Sequence, residues 1–168
     1  MAEVDLIVHY DKLNPVSEAY RSMRINLQFA GADKQIKLLG VISSSPGEGK
    51  STTSANLAIA LAQDHKRVLL IDSDLRKPVQ HKKFEVEQDG VTNYLIRGKS
   101  PEALVVKDVL PGLDLLPSGP IPPNPSELLG SRKMQELLQW AKESYDIVVF
   151  DLPPILAVAD AAVLRHTL

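Results

Sequence analysis

Residues Ser43–Thr52 read "SSSPGEGKST", a run of small residues and one lysine between the apolar "LLGVI" and the helix-like "TSANLAIALA". The first turn of a helix carries unpaired backbone N–H groups and a partial positive charge, so it attracts anions. Wrapping those donors around a phosphate chain requires a loop whose backbone can come close. Gly47 and Gly49 permit that, because they lack a Cβ and tolerate positive φ. Ser45, Pro46, Gly47, Glu48 and Gly49 would form the cradle, Lys50 would reach the phosphates, the Ser51 hydroxyl could bind Mg²⁺, and Thr52 continues the turn. The pattern G-x-x-x-x-G-K-[ST] is not met in full, since Ser44 stands at its first glycine. A tight turn followed by a solvated lysine is the plainer alternative.

Two further stretches bring carboxylates. In "LLIDSDLRKP", Asp72 and Asp74 fall on the same side of an extended chain. Two such like charges are costly unless a cation separates them or one takes a proton. A Mg²⁺ beside a polyphosphate meets the first condition, and either carboxylate could accept a proton from an attacking hydroxyl. A capped turn with Arg76 neutralising an aspartate would explain the same residues. In "IVVFDLPP", Asp151 closes an apolar run and suits the Mg²⁺ side of a phosphate site. Each element alone is weak evidence. The three in this order are strong, because their separate plain explanations would have to hold independently.

These residues need elements to position them. "KLLGVISS", "RVLLIDSD", "GLDLLPSG" and "YDIVVFDLPP" read as strands without polar alternation. Helical segments separate them: "PVSEAYRSMRINLQFAG" with Ala19, Met23 and Leu27 at spacing four, "KSTTSANLAIALAQDH", "VTNYLIRGK" ending at Gly98, and "SRKMQELLQWAKES" with Ser131 as N-cap. "VADAAVLRH" reads as a last helix. The expectation is an α/β fold, a parallel sheet covered by helices on both faces. Its strand ends at Ser43, Asp72 and Asp151 should then line one site, since ligands sit beyond the carboxyl ends of such strands. Residues 1–14 read as an extended arm, and 15–168 as one domain. His9, His65, His81 and His166 lack ligand spacing, and Lys82-Lys83 reads as a solvated pair.

Composition narrows the partners. The chain has 168 residues, a net charge of −2 and no cysteine, which removes disulfides, thiolate metal sites and a bulk field favouring nucleic acid. No apolar run approaches the roughly 20 residues of a spanning helix, so membrane association is expected only through a partner.

"SSSPGEGKS", "LLIDSDLRKP" and "VVFDLPP" resemble the Walker A, Walker A′ and Walker B motifs of the bacterial protein-tyrosine kinases, a P-loop family that regulates capsular and exopolysaccharide synthesis and export. "SEAYRSMRINLQF" resembles that family's N-terminal E-x-x-R-x-x-R helix, and "GPIPPNPSELLGS" its proline-rich loop. The resemblance implies ATP-dependent autophosphorylation on tyrosine, with ATP/ADP and Mg²⁺ as cofactors. It implies that Lys50 holds the phosphates, that Ser51, Asp74 and Asp151 hold the metal, and that Asp72 accepts the tyrosine proton. It makes Glu18, Arg21 and Arg24, which span about 120° of a helix, a subunit contact of a ring-shaped homo-oligomer rather than a solvated face. It further implies tyrosine-containing protein substrates, a membrane-embedded polysaccharide co-polymerase as activator, and a cytoplasmic place at the inner membrane face.

The chain departs from the family in two ways. Its tyrosines, Tyr10, Tyr20, Tyr94 and Tyr145, are scattered rather than clustered in a tail, and it stops at Leu168, before the family's further strands. The domain is therefore expected to be incomplete at its C-terminal end. A non-catalytic nucleotide-binding scaffold is the first alternative. A nucleotide-switched assembly ATPase of the partition or division-site type is the second, disfavoured because Ser45 stands where those proteins carry a signature lysine.

Overall fold

The computed structural model describes residues 5–31, 35–44, 47 and 49–153. Ser45, Pro46, Glu48 and the expected helix over 158–166 lie outside the described residues.

The chain runs α1 (Ile7–Tyr10), α2 (Pro15–Ala30), β1 (Leu38–Val41), α3 (Lys50–Ala62), β2 (Val68–Asp72), α4 (Gln80–Lys83), α5 (Val91–Arg97) and α6 (Pro101–Leu104). It continues through β3 (Val106–Leu110), β4 (Leu113–Leu116), α7 (Pro125–Leu129), α8 (Arg132–Ser144) and β5 (Ile147–Asp151). The five strands form one sheet in the order β1-β5-β2-β4-β3. All neighbours are parallel except β3, which pairs antiparallel with β4. This is the expected α/β architecture with one antiparallel edge added.

Side-chain alternation along the central strands divides the apolar residues between two cores. Val68, Leu70, Ile147 and Val149 pack with Leu57, Ala58 and Leu61 of α3. Leu69, Ile71, Val148 and Phe150 pack on the other face with Met134, Leu137, Leu138 and Ala141 of α8. β2 and β5 are buried along their whole length, which is why their sequences show no polar alternation. Helix α8 starts as its sequence suggests: the Ser131 hydroxyl accepts the Met134 N–H at 3.2 Å.

Edge strand β3 was not expected. Its Lys107 and Asp108 are exposed, and Asp108 has φ 49°, so it lacks the regular pattern of a strand. Asp114 fixes the hairpin by accepting the Asp108 N–H at 2.9 Å and the Tyr145 hydroxyl at 2.6 Å.

The N-terminal segment corrects the expectation of an extended arm. Leu6 and Val8 are buried around the short α1, against the face of α3 that turns away from the sheet's other core. Asn56 of α3 holds the segment: its Oδ1 accepts the Val8 N–H at 3.1 Å, and its Nδ2 donates to the Asp5 and Thr52 carbonyls at 2.7 and 2.9 Å. Helix α2 packs beside α1 through a different stripe from the one its alanine and methionine spacing suggests. Ser17 is buried and donates to the Asp11 carbonyl at 2.6 Å, and Arg24 donates to the Ala60 carbonyl at 2.7 Å. These polar anchors rotate the helix so that Tyr20 and Leu27 meet the core while Met23, Ile25 and Phe29 stay exposed.

Asn56→Ala removes the acceptor of a buried N–H and detaches the segment from α3. It should lower stability by about 1–3 kcal/mol in urea unfolding and speed exchange of the Val8 amide; unchanged stability and exchange would contradict this role for Asn56.

Candidate active site

Helix α3 begins at Lys50, with Gly49 as its N-cap in the left-handed region at φ 77°. Gly47 lies there too, at φ 82°. A Cβ added at either glycine would meet nothing within 4 Å. Backbone conformation, not crowding, therefore selects glycine, and the space over the loop is open to a ligand.

Lys50 is buried and its ammonium turns toward carboxylates. It pairs with Asp151 Oδ1, lies 3.6 Å from Asp74 Oδ2, and is 3.4 Å from the Ser51 hydroxyl. Ser54, one turn on, donates to the Lys50 carbonyl at 2.9 Å and reaches Asp151 Oδ1 at 3.5 Å. Parallel pairing of β2 with β5 makes Asp72 and Asp151 direct partners across the strands. Register, rather than loop conformation, thus brings the first two carboxylates together.

Asp72 is fully buried. Its Oδ1 accepts the Asp74 N–H at 3.2 Å, and its Oδ2 accepts the N–H groups of Val79 and Gln80, both at 3.0 Å. The chain therefore turns at Asp74 instead of staying extended. Burial, followed by the charge of Asp151, raises the Asp72 pKa from 3.8 to about 7, against the lowering effect of those three N–H bonds. Asp74 lines a cavity of about 370 Å³ together with Gly47, Gly49, Lys50, Ser51 and Thr52. The cavity is lined by the glycine loop and by the turn after β2, which brings Arg76 and Lys77 as well as Asp74. A second cavity, about 440 Å³, sits at the amino ends of β1 and β5 among Leu27, Ile36, Leu39 and Ile147, and holds none of these groups.

The structure thus gathers Lys50, Ser51, Asp72, Asp74 and Asp151 at one sheet edge. Glu18, Arg21 and Arg24 are elsewhere, on α2: Arg21 pairs with Glu18 at 2.8 Å and donates to the Lys12 carbonyl. Two residues of the site were not singled out in the sequence. Gln80 donates through Nε2 to Asp151 Oδ2 at 2.9 Å and to the Ser51 carbonyl at 2.8 Å. Lys83, expected in solvent, is instead mostly buried, 3.1 Å from the Thr52 hydroxyl and 3.5 Å from Asp5. A glutamine has no motif of its own, and the adjacent Lys82 made the pair look like an exposed charge run.

The comparisons with known proteins agree with this geometry. The AAA-domain family model matches residues 36–166. Over 151 residues the chain is 54% identical to tyrosine-protein kinase YwqD of Bacillus subtilis (strain 168), covering 89% of this chain and 64% of YwqD. The crystal structure of the chimerical protein CapA2B2 superimposes with a TM-score of 0.93 at 38% identity, covering 98% of this chain and 73% of that one. The VpsO kinase domain superimposes with a TM-score of 0.82 at 39% identity, covering 94% of this chain and 78% of that domain. The chain spans just under two thirds of the length of YwqD. The chain belongs to the AAA-domain family and, within it, to the bacterial tyrosine-protein kinases.

Proposed function

We propose that the chain is an ATP-dependent protein-tyrosine kinase acting in capsular or exopolysaccharide biosynthesis and export. The observation that carries this reading is the meeting of Lys50, Asp74 and the register-paired Asp72 and Asp151 at the mouth of a glycine-cradled helix N-terminus. The residues present fit a magnesium-bound nucleotide: an open cradle of positive-φ glycines, a hydroxyl, and carboxylates in excess over the one ammonium among them. Bound ATP and Mg²⁺ supply the phosphoryl group and neutralise the charge that develops on it.

In this reading the loop N–H groups and Lys50 hold the phosphates, and Ser51, Asp74 and Asp151 hold the metal. Lys50 must then exchange its present carboxylate contacts for phosphate oxygens, which the flexible four-carbon stem allows. Asp72 accepts the tyrosine proton at Oδ1, the oxygen that takes a single N–H bond and keeps a lone pair. Its raised pKa matches a base at neutral pH, and its hydrogen bond to the substrate forms only once the substrate is in place. Most of the acceleration comes from positioning and charge neutralisation.

The acceptor is a tyrosine of another protomer or protein. Tyr145 does not suit that role, because its hydroxyl is held by Asp114 and burial raises its pKa far above 10. The ring contact is proposed to run through Glu18, Arg21 and Arg24 of α2, of which Arg24 also donates to the Ala60 carbonyl within the chain. No helix among the described residues is long and apolar enough to cross a membrane; a membrane-embedded co-polymerase is proposed to hold the chain at the inner membrane face.

Incubation with labelled ATP, Mg²⁺ and a tyrosine-bearing acceptor should give phosphotyrosine, none with Lys50→Met, and less with Arg21→Ala as self-association weakens. Released phosphate without labelled protein would favour the assembly-ATPase alternative, and no turnover would favour the scaffold. Asp72 also sets a pH dependence in the metal-free chain. The folded state binds its proton more tightly than the unfolded chain, so that stability is complete below pH 3.8 and is lost as pH rises through about 7. Between those values the unmodified chain should lose up to about 1.4 kcal/mol per pH unit more than Asp72→Asn in urea unfolding; parallel profiles would contradict the raised pKa.

A further inference from the structure

Gln80 touches two of the site's three aspartates, Asp72 and Asp151. The side chain is fully buried at the start of α4. Its backbone N–H donates to Asp72 Oδ2, while its Nε2 bridges Asp151 Oδ2 and the Ser51 carbonyl. The amide orientation is fixed by chemistry. Turned over, it would set Oε1 against a carboxylate oxygen and a carbonyl oxygen, acceptors both. In the orientation present, Oε1 is buried and has no hydrogen-bond partner among the described residues.

A buried acceptor of that kind is costly unless a donor meets it. Among the groups this site would receive, phosphate oxygens only accept, whereas a water bound to a divalent cation is a strong donor. The neighbours of Gln80 are the same Ser51 and Asp151 that would hold such a cation. Alternatives at this position fit less well. A glutamate would add a fourth carboxylate beside Asp72, Asp74 and Asp151. An apolar side chain would leave Asp151 Oδ2 without its amide donor.

We propose that Gln80 is a positioning residue of this site, fixing Asp151 and the first turn of α3 through Nε2 and accepting through Oε1 a hydrogen bond from a water of the bound cation. The inference rests on the reading of the site as one for a nucleotide and a divalent cation, and not on tyrosine as the phosphate acceptor. Residues that hold a metal's ligands and waters in this way commonly govern its affinity by ten- to hundredfold.

The test measures metal binding and needs no turnover. Mn²⁺ is titrated into the ADP-loaded chain and the free ion is read by electron paramagnetic resonance. Gln80→Met keeps the volume but neither donates nor accepts strongly. It should bind Mn²⁺ about tenfold more weakly, a larger loss than that of its metal-free ADP affinity, and melt at a lower temperature because Asp151 Oδ2 loses its buried donor. A purely structural role would weaken Mn²⁺ and metal-free ADP binding equally, and Mn²⁺ affinity within twofold of the unmodified chain overturns the proposal. Should Gln80→Met fail to fold, ¹⁵N resonances of the Gln80 carboxamide in the unmodified chain decide: they should differ between ADP with Mg²⁺ and ADP alone, and identical shifts overturn it. An unmodified chain that binds no Mn²⁺ with ADP would remove both the site reading and this inference; loss of tyrosine transfer alone would touch only the kinase assignment.

Discussion

Three buried carboxylates gather at the carboxyl edge of the sheet, the Lys50 ammonium pairs with only two of them, Asp74 and Asp151, and much of the local structure answers that imbalance. Asp72 and Asp151 cannot move apart, because they close adjacent parallel strands in direct register. Two like charges a few ångströms apart in a partly buried setting repel by several kcal/mol. The chain meets this with fixed dipoles: backbone N–H groups from Asp74, Val79 and Gln80 on Asp72, and Lys50, Ser54 and the Gln80 amide on Asp151. What remains is met by a proton on Asp72, whose pKa rises to about 7. In the proposed reading, a divalent cation carrying a polyphosphate would complement these carboxylates.

The remainder of the fold keeps that edge rigid. The sheet is packed on both faces, by α3 on one and α8 on the other, so the strand ends have little freedom. Helix α3 follows the glycine loop and is braced from outside by α1 and α2 through Asn56 and Arg24. Lys83 links this brace to the site, since it contacts both Asp5 and the Thr52 hydroxyl. The N-terminal segment therefore belongs to the support of α3, although its sequence gives it no such look.

How much of this could be read from the amino acids depended on the range of the interactions. Strands β2 and β5 were legible because burial on both faces leaves an uninterrupted apolar run. Helix α8 was legible from its period and its Ser131 cap. That Lys50, Asp72, Asp74 and Asp151 would meet was legible because apolar runs ending in carboxylates mark parallel strands whose carboxyl ends lie together. The losses share a cause. Leu6 and Val8 are buried where Asn56, some fifty positions away, accepts the Val8 N–H and donates to the Asp5 carbonyl. β3 exists only through pairing with β4, and Gln80 is tied to the site by Ser51 and Asp151, 29 and 71 positions away. The face α2 buries was misjudged for the same reason: Ser17 and Arg24 find carbonyls that local spacing cannot reveal.

The central claim is that these carboxylates and the glycine loop hold one magnesium nucleotide between them. A crystal grown with ADP and Mn²⁺, with data collected at an energy where manganese scatters anomalously, measures this directly. The account predicts a single anomalous peak beside the Ser51 hydroxyl on the Asp74 and Asp151 side, with Lys50 turned from Asp151 onto phosphate oxygens. Phosphates on the loop with no metal at that place, or a metal bound with Lys50 still paired to Asp151, would contradict it.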